Sequence, residues 1–358
     1  MNKIKNETRL LWDKCFIEED KRFVDFYFDK RYDEEDNLFI EKDGKVVSAL
    51  QLISYPFSYY GKTIACSYFS GCCTDPDYRS QGLMSDLITK SLNKAKINGA
   101  CFAALIPASE SLFSYYEGSN FVPTFDYSKI HVRIQNNNGQ YISNCNIIPF
   151  YDQHSDVDFY EIYEYLNTKM RSRNCCIQHN EYDFGVITED LKNFDNHLLV
   201  AKYAEEICGL AFCYLRDGEI YIKDVFAESG AVFSDFITAA VNLFNNESVN
   251  IIVPPVSGQK RHRLGMARLI DAETMLRIYA MTHPKLKFEF SLVDPIITEN
   301  NGTYYINNGF LDKKNSIGSN VIDIEQITQA LFGYHTETLP DTLKVFNNQA
   351  AFMSLMLD

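Results

Sequence analysis

The stretch Cys72-Cys73-Thr74-Asp75-Pro76-Asp77-Tyr78-Arg79-Ser80-Gln81-Gly82-Leu83-Met84 brings together residue types suited to holding a diphosphate. It reads as a strand that ends in a turn and opens directly into a helix. A helix start exposes backbone N–H groups that lack an intrahelical acceptor, with the positive end of the helix dipole behind them. Phosphate binds readily at such an end. Gly82 has no Cβ, so a diphosphate can come close to the backbone there, and Arg79 adds a planar cationic fork. The same residues would also serve as a surface turn that caps a helix, so the surroundings decide.

Those surroundings favour the cofactor reading. Leu83, Met84, Leu87, Ile88 and Leu92 fall at helical spacing and give one apolar face. Lys94 and Lys96 lie in the predicted last turn, and Gly99 stands in the usual stop position. Ala100 to Ile106 is a short continuous apolar run closed by Pro107, the profile of a buried parallel strand. Strand, turn, helix and strand make a βαβ unit, which places a ligand at the carboxyl ends of its strands.

The loop resembles the acetyl-CoA pyrophosphate loop of GNAT N-acetyltransferases, Arg/Gln-x-x-Gly-x-Gly/Ala. Here it reads Arg79-x-x-Gly82-x-Met84, with methionine in the last small position. The segment Pro107 to Phe121 resembles the last helix and following strand of the same family, Phe-Tyr-x-x-x-Gly-Phe. Tyr116 sits five residues before Phe121, the spacing of the family's general-acid tyrosine. Asn120 replaces the usual glycine, and asparagine also tolerates a left-handed backbone. Without the resemblance, Tyr116 reads as a packed aromatic with a satisfied hydroxyl.

Composition bounds the rest. With 358 residues the chain is too long for one typical core and calls for two or three domains. Hydrophobic residues at 46% and aromatics at 14% are enough to fill them. No apolar run approaches the roughly 20 residues that span a bilayer, and the first residues lack a signal-peptide core. Ten cysteines, including the vicinal pairs Cys72-Cys73 and Cys175-Cys176, form neither C-x-x-C spacing nor a disulfide framework. They read as small buried hydrophobes in a reducing, cytoplasmic setting. The seven histidines are scattered, so no metal site is expected. A net charge of −14 argues against nucleic acid and suits a cationic amine drawn to an acidic cleft.

Three zones follow along the chain, an α/β class with mixed sheets. Residues 1–148 open with an amphipathic helical stretch from Leu11 to Phe28 and a hairpin turning at Asp43-Gly44, and they end near the polar loop Asn136–Gln140. Residues 149–284 repeat the order: a helix over Phe159–Arg171, paired strands from Leu198 to Phe226, a helix over Val232–Phe244 and a strand over Val249–Val253. Its equivalent loop, Ala227-Glu228-Ser229-Gly230-Ala231, lacks the arginine-to-glycine pattern, and the glutamate would oppose a diphosphate. In residues 285–358, a strand over Leu286–Asp294 pairs with Thr303–Ile306 across Asn300-Asn301-Gly302, followed by a helix over Ile324–Leu331. An active GNAT domain, a degenerate GNAT domain and a sterol-carrier-protein-like domain, in that order, resemble the Eis (enhanced intracellular survival) type of acetyltransferase. Gly265 to Asp271 looks like that family's entry into the end of the second domain.

The resemblance implies roles. Backbone groups of Cys72, Cys73 and Thr74 would pair with the pantetheine arm of acetyl-CoA as an added strand would. Arg79, Ser80, Gln81, Gly82, Leu83, Met84 and Ser85 would surround its pyrophosphate. Ser109 and Glu110 match the family's Ser-Glu beside the cofactor. Tyr116 would protonate the departing thiolate, and the carboxylate of Asp358 would act as base. The implied acceptor is an aminoglycoside-like, polyamine or lysine amine, and the implied assembly is a homo-oligomeric trimer or hexamer. A primary amine near pKa 10.4 gives up its proton at pH 7 at a cost of about 4.6 kcal/mol, which a carboxylate acting through water would lower. Two other readings stay open: a non-catalytic acyl-CoA sensor or scaffold, and a carrier of hydrophobic ligands through the third domain.

Overall fold

The computed structural model describes residues 3–134, 144–151 and 157–357. Two helices come first, α1 (Lys3–Cys15) and α2 (Lys21–Lys30). The apolar spacing predicts one helical stretch from Leu11 to Phe28, but Asp20 divides it. Its carboxylate accepts from the backbone N–H of Arg22 and so begins α2 afresh. Strands β1 (Asn37–Lys42) and β2 (Lys45–Tyr59) form the expected hairpin. Asp43 and Gly44 carry φ of 50° and 75°, the paired positive values that a tight hairpin turn requires. Then come β3 (Lys62–Thr74), α3 (Leu83–Ile97), β4 (Phe102–Leu105), α4 (Glu110–Glu117) and β5 (Val122–Arg133). β3 and β4 run parallel, with α3 as the crossover. The predicted face of α3 is buried: Met84, Leu87, Ile88 and Leu92 pack with Leu50, Leu52 and Phe69.

The middle of the chain supplies β6 (Asn146–Pro149), α5 (Phe159–Arg171), β7 (Cys176–Ile177), α6 (Glu181–Asn193), β8 (His197–Tyr203), β9 (Glu206–Arg216) and β10 (Glu219–Ala227). It continues through α7 (Gly230–Phe244), β11 (Ser248–Val253) and β12 (Arg261–Leu269). From α5 onward the succession matches the first: two helices, antiparallel strands β8, β9 and β10, then a helix leading to a strand parallel to the last. The last zone holds α8 (Ala272–Thr282), β13 (Phe288–Val293), β14 (Gly302–Asn307), β15 (Phe310–Lys314), β16 (Val321–Asp323) and α9 (Ile324–Leu331). β13 pairs antiparallel with β14, Phe288 opposite Ile306, across the predicted turn. The predicted loop Asn136–Gln140 lies outside the described residues.

The chain forms two compact units. One holds residues up to Phe125 together with Leu264–Ala351. Its larger sheet runs β1-β2-β3-β4, and Met266–Leu269 of β12 lie antiparallel to Leu105–Phe102. Gly265–Asp271, which the sequence places at the end of a second domain, thus falls in this unit. Phe332, just after α9, packs against Phe57, Phe102 and Phe125 with ring centroids 4.9–5.7 Å apart. Arg268, fully buried, donates to Asp294 at 2.6 Å. The same carboxylate also accepts from the N–H groups of Ile296 and Ile297 and from Asn300. The other unit holds Asp126–Arg263 and Phe352–Leu357. Residues 128–133 of β5 pair there with β11, and β10, β9, β8 and β6 follow in order.

A bulge in β3 shapes the region where the sequence places the cofactor. Ser70 faces Gln51 and Cys73 faces Ala49, so Gly71 and Cys72 together stand opposite Leu50. Gly71 takes φ of 60°, and a Cβ there would lie 2.1 Å from the Trp12 ring. Trp12 is itself enclosed by Phe16, Tyr27 and Phe28, and the Tyr27 hydroxyl donates to Ser70 Oγ at 2.8 Å. Gly71→Ala combines an unfavourable backbone with a clash against a buried indole. It is expected to cost about 2 kcal/mol or more. A thermal midpoint within 1–2 °C of the unaltered protein would contradict this role of the glycine.

Candidate active site

The site is built around the carboxyl end of β3 and the start of α3. Parallel pairing of β3 with β4 reaches Tyr68 opposite Ala104 and goes no further. From Phe69 to Thr74 the β4-side edge of β3 therefore has no strand on it among the described residues. Cys72, Cys73 and Thr74, the predicted pantetheine contacts, lie on this edge. On the β2 side their order is kept by side chains: Ser48 donates to the Cys73 carbonyl at 3.2 Å and meets Thr74 Oγ1 at 2.9 Å.

Beyond Thr74 the chain makes a single turn over Pro76–Tyr78 before α3. Asp75 fixes its start, accepting from the Asp77 N–H at 3.1 Å and from Lys14 at 2.6 Å. Arg79 donates through Nε to the Thr74 carbonyl at 3.2 Å and remains exposed, as do Ser80, Gln81, Gly82 and Ser85. Ser80 takes φ of 61° and Gly82 φ of 76°. For Ser80 this is a strained backbone of the kind that collects at ligand clamps, whereas glycine adopts it freely. Lys42, from the hairpin turn, donates to Gln81 Oε1 at 3.1 Å, bringing a second cation to the loop that the sequence reading did not single out.

Gly82 is the N-cap of α3 and has no side chain to offer. The N–H groups of Leu83, Met84 and Ser85 therefore point out of the helix without an intrahelical acceptor. A Cβ on Gly82 would meet nothing within 4 Å, so the glycine itself is not crowded. Met84, where the resembling motif has a small residue, turns away from the loop: it is 8% exposed and joins the core beneath α3. Its size therefore does not obstruct the anion position.

Tyr116 lies on α4, 7% exposed, in the same core as Met84 and Phe121. Burial, and after it the neighbouring Cys72, raises the phenol far above the ordinary tyrosine range. Asn120 takes φ of 62° and its amide donates to Glu325. Ser109 is the exposed N-cap of α4; its hydroxyl meets that of Ser111 at 3.0 Å, with exposed Glu110 next to it. Asp358 lies outside the described residues. Among the described residues no cluster could hold a metal ion, and no helix is long and apolar enough to cross a membrane.

Cys15 is a member of this region that sequence reasoning missed. It ends α1 and donates to the Thr74 carbonyl at 3.3 Å. A hydrogen bond from Cys73, opposed by burial and aided by Arg79, lowers its thiol to about 7. No spacing in the sequence joins Cys15 to Cys73; only the packing of α1 on β3 does. Because the thiolate is the nucleophile, alkylation of Cys15 by iodoacetamide is expected to rise through about pH 7, well before an ordinary cysteine near 8.5. Peptide mapping across pH 6–9 would test this, and a Cys15 midpoint at or above 8.5 would refute it.

Residues 5–123, which include the β3 edge, the loop and α4, match the model of the acetyltransferase (GNAT) domain. A GCN5-related N-acetyltransferase from Anabaena variabilis has a similar structure, with a TM-score of 0.78 at 13% identity, covering 99% of this chain and 97% of that one. One from Kribbella flavida superposes with a TM-score of 0.74 at 15% identity over 100% and 96% of the two chains. Eis1 from Mycobacterium abscessus does so with a TM-score of 0.69 at 11% identity over 94% and 88%. At such identities the likeness concerns the fold. No curated protein matches the sequence. The match of residues 5–123 to the GNAT acetyltransferase domain supports an enzyme of the general acetyl-transfer class.

Proposed function

We propose that the enzyme transfers the acetyl group of acetyl-CoA directly to a primary amine of a small cationic molecule, within a ternary complex. The observation that carries this reading is the conjunction of three features in one unit. They are an edge of β3 with no strand on it among the described residues, a helix start at Gly82 with no side-chain cap, and a buried tyrosine in the core against which Cys72 packs. The edge of Cys72, Cys73 and Thr74 would take the pantetheine arm. Arg79, Ser80, Gln81, Gly82, Leu83, Met84 and Ser85 would hold the diphosphate, with Ser109 and Glu110 on the cofactor side of α4. Tyr116 would give its proton to the departing sulphur. The carboxylate of Asp358 is the proposed base, and the acidic balance of −14 favours a cationic acceptor.

The proposed domain plan is a catalytic GNAT domain over 1–148, a degenerate GNAT-like domain over 149–284 and a sterol-carrier-like domain over 285–358, within a homo-oligomer of Eis type. What supports degeneracy is the equivalent helix start in the second unit. There Ser229 caps α7 by accepting from the Val232 N–H at 3.3 Å, and Glu228 is engaged by Lys169 and Tyr165. One donor of that end is already taken, and a glutamate stands just before it.

The test is free-thiol release from acetyl-CoA against aminoglycosides, polyamines and lysine peptides. Cofactor binding is followed separately through the emission of Trp12, the chain's one tryptophan. Tyr116→Phe is expected to lower kcat by about ten- to a thousandfold while the Trp12 titration keeps its midpoint. Unchanged kcat would remove Tyr116 from the chemistry. Binding without release across the whole panel would make the chain an acyl-CoA sensor.

A further inference from the structure

Cys145 and Cys208 are 63 positions apart in the chain, yet their Sγ atoms stand 3.1 Å from each other. The strands of the second unit bring them together. Cys145 directly precedes β6, whose pairing with β8 begins at Asn146 opposite Lys202. On the other side of β8, Ala201 faces Gly209 and Lys202 faces Ile207, so Cys208 is the extra residue of a bulge in β9. Its thiol reaches the Ala201 carbonyl at 3.4 Å, and its own carbonyl accepts from the Glu228 N–H at 3.0 Å. Gly209 lets α7 press on the bulge: a Cβ there would lie 2.7 Å from the Phe236 ring. Both cysteines pack at the rim of the core that α7 makes with this sheet. Both are partly exposed, whereas Cys213 of the same core is buried.

We propose that Cys145 and Cys208 form a modification site, at which a hydroperoxide converts the two thiols into a reversible disulfide. The proposal is independent of how the first unit handles acetyl-CoA. One cysteine, as its thiolate, attacks an oxygen of the peroxide. An S–O bond forms, the O–O bond breaks, and the hydroxide that leaves takes up the thiol's proton as water. The other sulphur then attacks the sulfenic sulphur. An S–S bond forms, the S–O bond breaks, and the second hydroxide departs as water with the proton of the attacking thiol. The two thiols together lose two electrons and two hydrogens, and the peroxide gains both. Exchange with a dithiol restores the pair.

A disulfide holds its sulphurs about 2.05 Å apart, so the two must approach by roughly 1 Å. That movement falls on Cys145, which lies before the first paired residue of β6 and is not held by its ladder. The bond would tie the chain ahead of β6 to β9 across β8. It would also close a long loop, the case in which a cross-link restricts the unfolded chain most.

The test uses the full chain, reduced, freed of reductant and treated with hydrogen peroxide. It is then capped with iodoacetamide in denaturant and mapped without reduction. The expected product is a Cys145–Cys208 cross-linked peptide, two hydrogens lighter than its parts and parted by dithiothreitol, with Cys213 recovered capped. The thermal midpoint of the oxidised protein is expected to rise by several degrees, and this rise should be absent in Cys145→Ser and Cys208→Ser. In Cys208→Ser the sulfenic acid has no resolving thiol, so Cys145 should be trapped by dimedone.

Both cysteines still open to iodoacetamide, at a peroxide dose that oxidises the partly exposed Cys15, would overturn the proposal. So would oxidation of either to sulfinic acid without a link, or a link that forms only after unfolding in urea. A link that lowers the thermal midpoint would show that the native strands do not admit the bond, and would overturn it as well.

Discussion

Trp12 rests on a stretch of backbone that has no side chain to yield to it, and the geometry around the β3 edge depends on that contact. Gly71 can lie 2.1 Å, in Cβ terms, from the indole only because it has no Cβ. The positive φ it adopts there admits an extra residue into β3. The bulge delivers Cys72 to the core beneath α3 and α4 and leaves Cys73 toward α1. The Tyr27–Ser70 hydrogen bond holds the residue just before it. A continuous, evenly paired β3 would offer neither a Cys72 packed against the core that holds Tyr116 nor the same course for the edge from Phe69 to Thr74. The conformational freedom that glycine normally costs a strand is here what allows the strand to change course.

Two helix starts show how local chemistry decides what a shared plan can do. α3 and α7 occupy the same place in the same succession of elements, each between two parallel strands. At α3 the cap is glycine, the loop before it is exposed, and Arg79 and Lys42 stand near it. At α7 a serine hydroxyl takes one of the free N–H groups, and a glutamate paired with a lysine stands just before it. Backbone dipoles favour an anion at both ends. Only the first lacks a side-chain cap and has two cations, Arg79 and Lys42, on the loop before it.

The unit that carries the edge and loop also shows how a large polar group is kept inside a core. Arg268 and Asp294 are each fully buried, a costly state for isolated charges. The cost is offset because Asp294 also receives two backbone N–H groups and the Asn300 amide, while Arg268 donates to the Leu269 carbonyl. This network joins β12 to the segment after β13. Together with the aromatic contacts of Phe332, it makes the zone after residue 264 part of the same core as β2 and β4.

Much of the local architecture was legible because local rules suffice for it. The Asp43-Gly44 turn, the α5 span Phe159–Arg171, the α9 span Ile324–Leu331 and the strand–loop–helix around Gly82 follow from turn residues, caps and apolar period, which act over a few neighbours. The exposed loop with its arginine and the glycine that caps α3 were legible for the same reason. Asp20, which splits the first helical stretch, was a cap signal hidden inside a convincing apolar period. The direction of Met84, the pairing of β12 with β4, the contact of Trp12 with Gly71, the meeting of Cys15 with Cys73 and the packing of Cys72 against the core of Tyr116 were decided by tertiary structure alone. Each joins residues far apart in the chain through packing and register, and neither leaves a period or a spacing that either partner carries by itself.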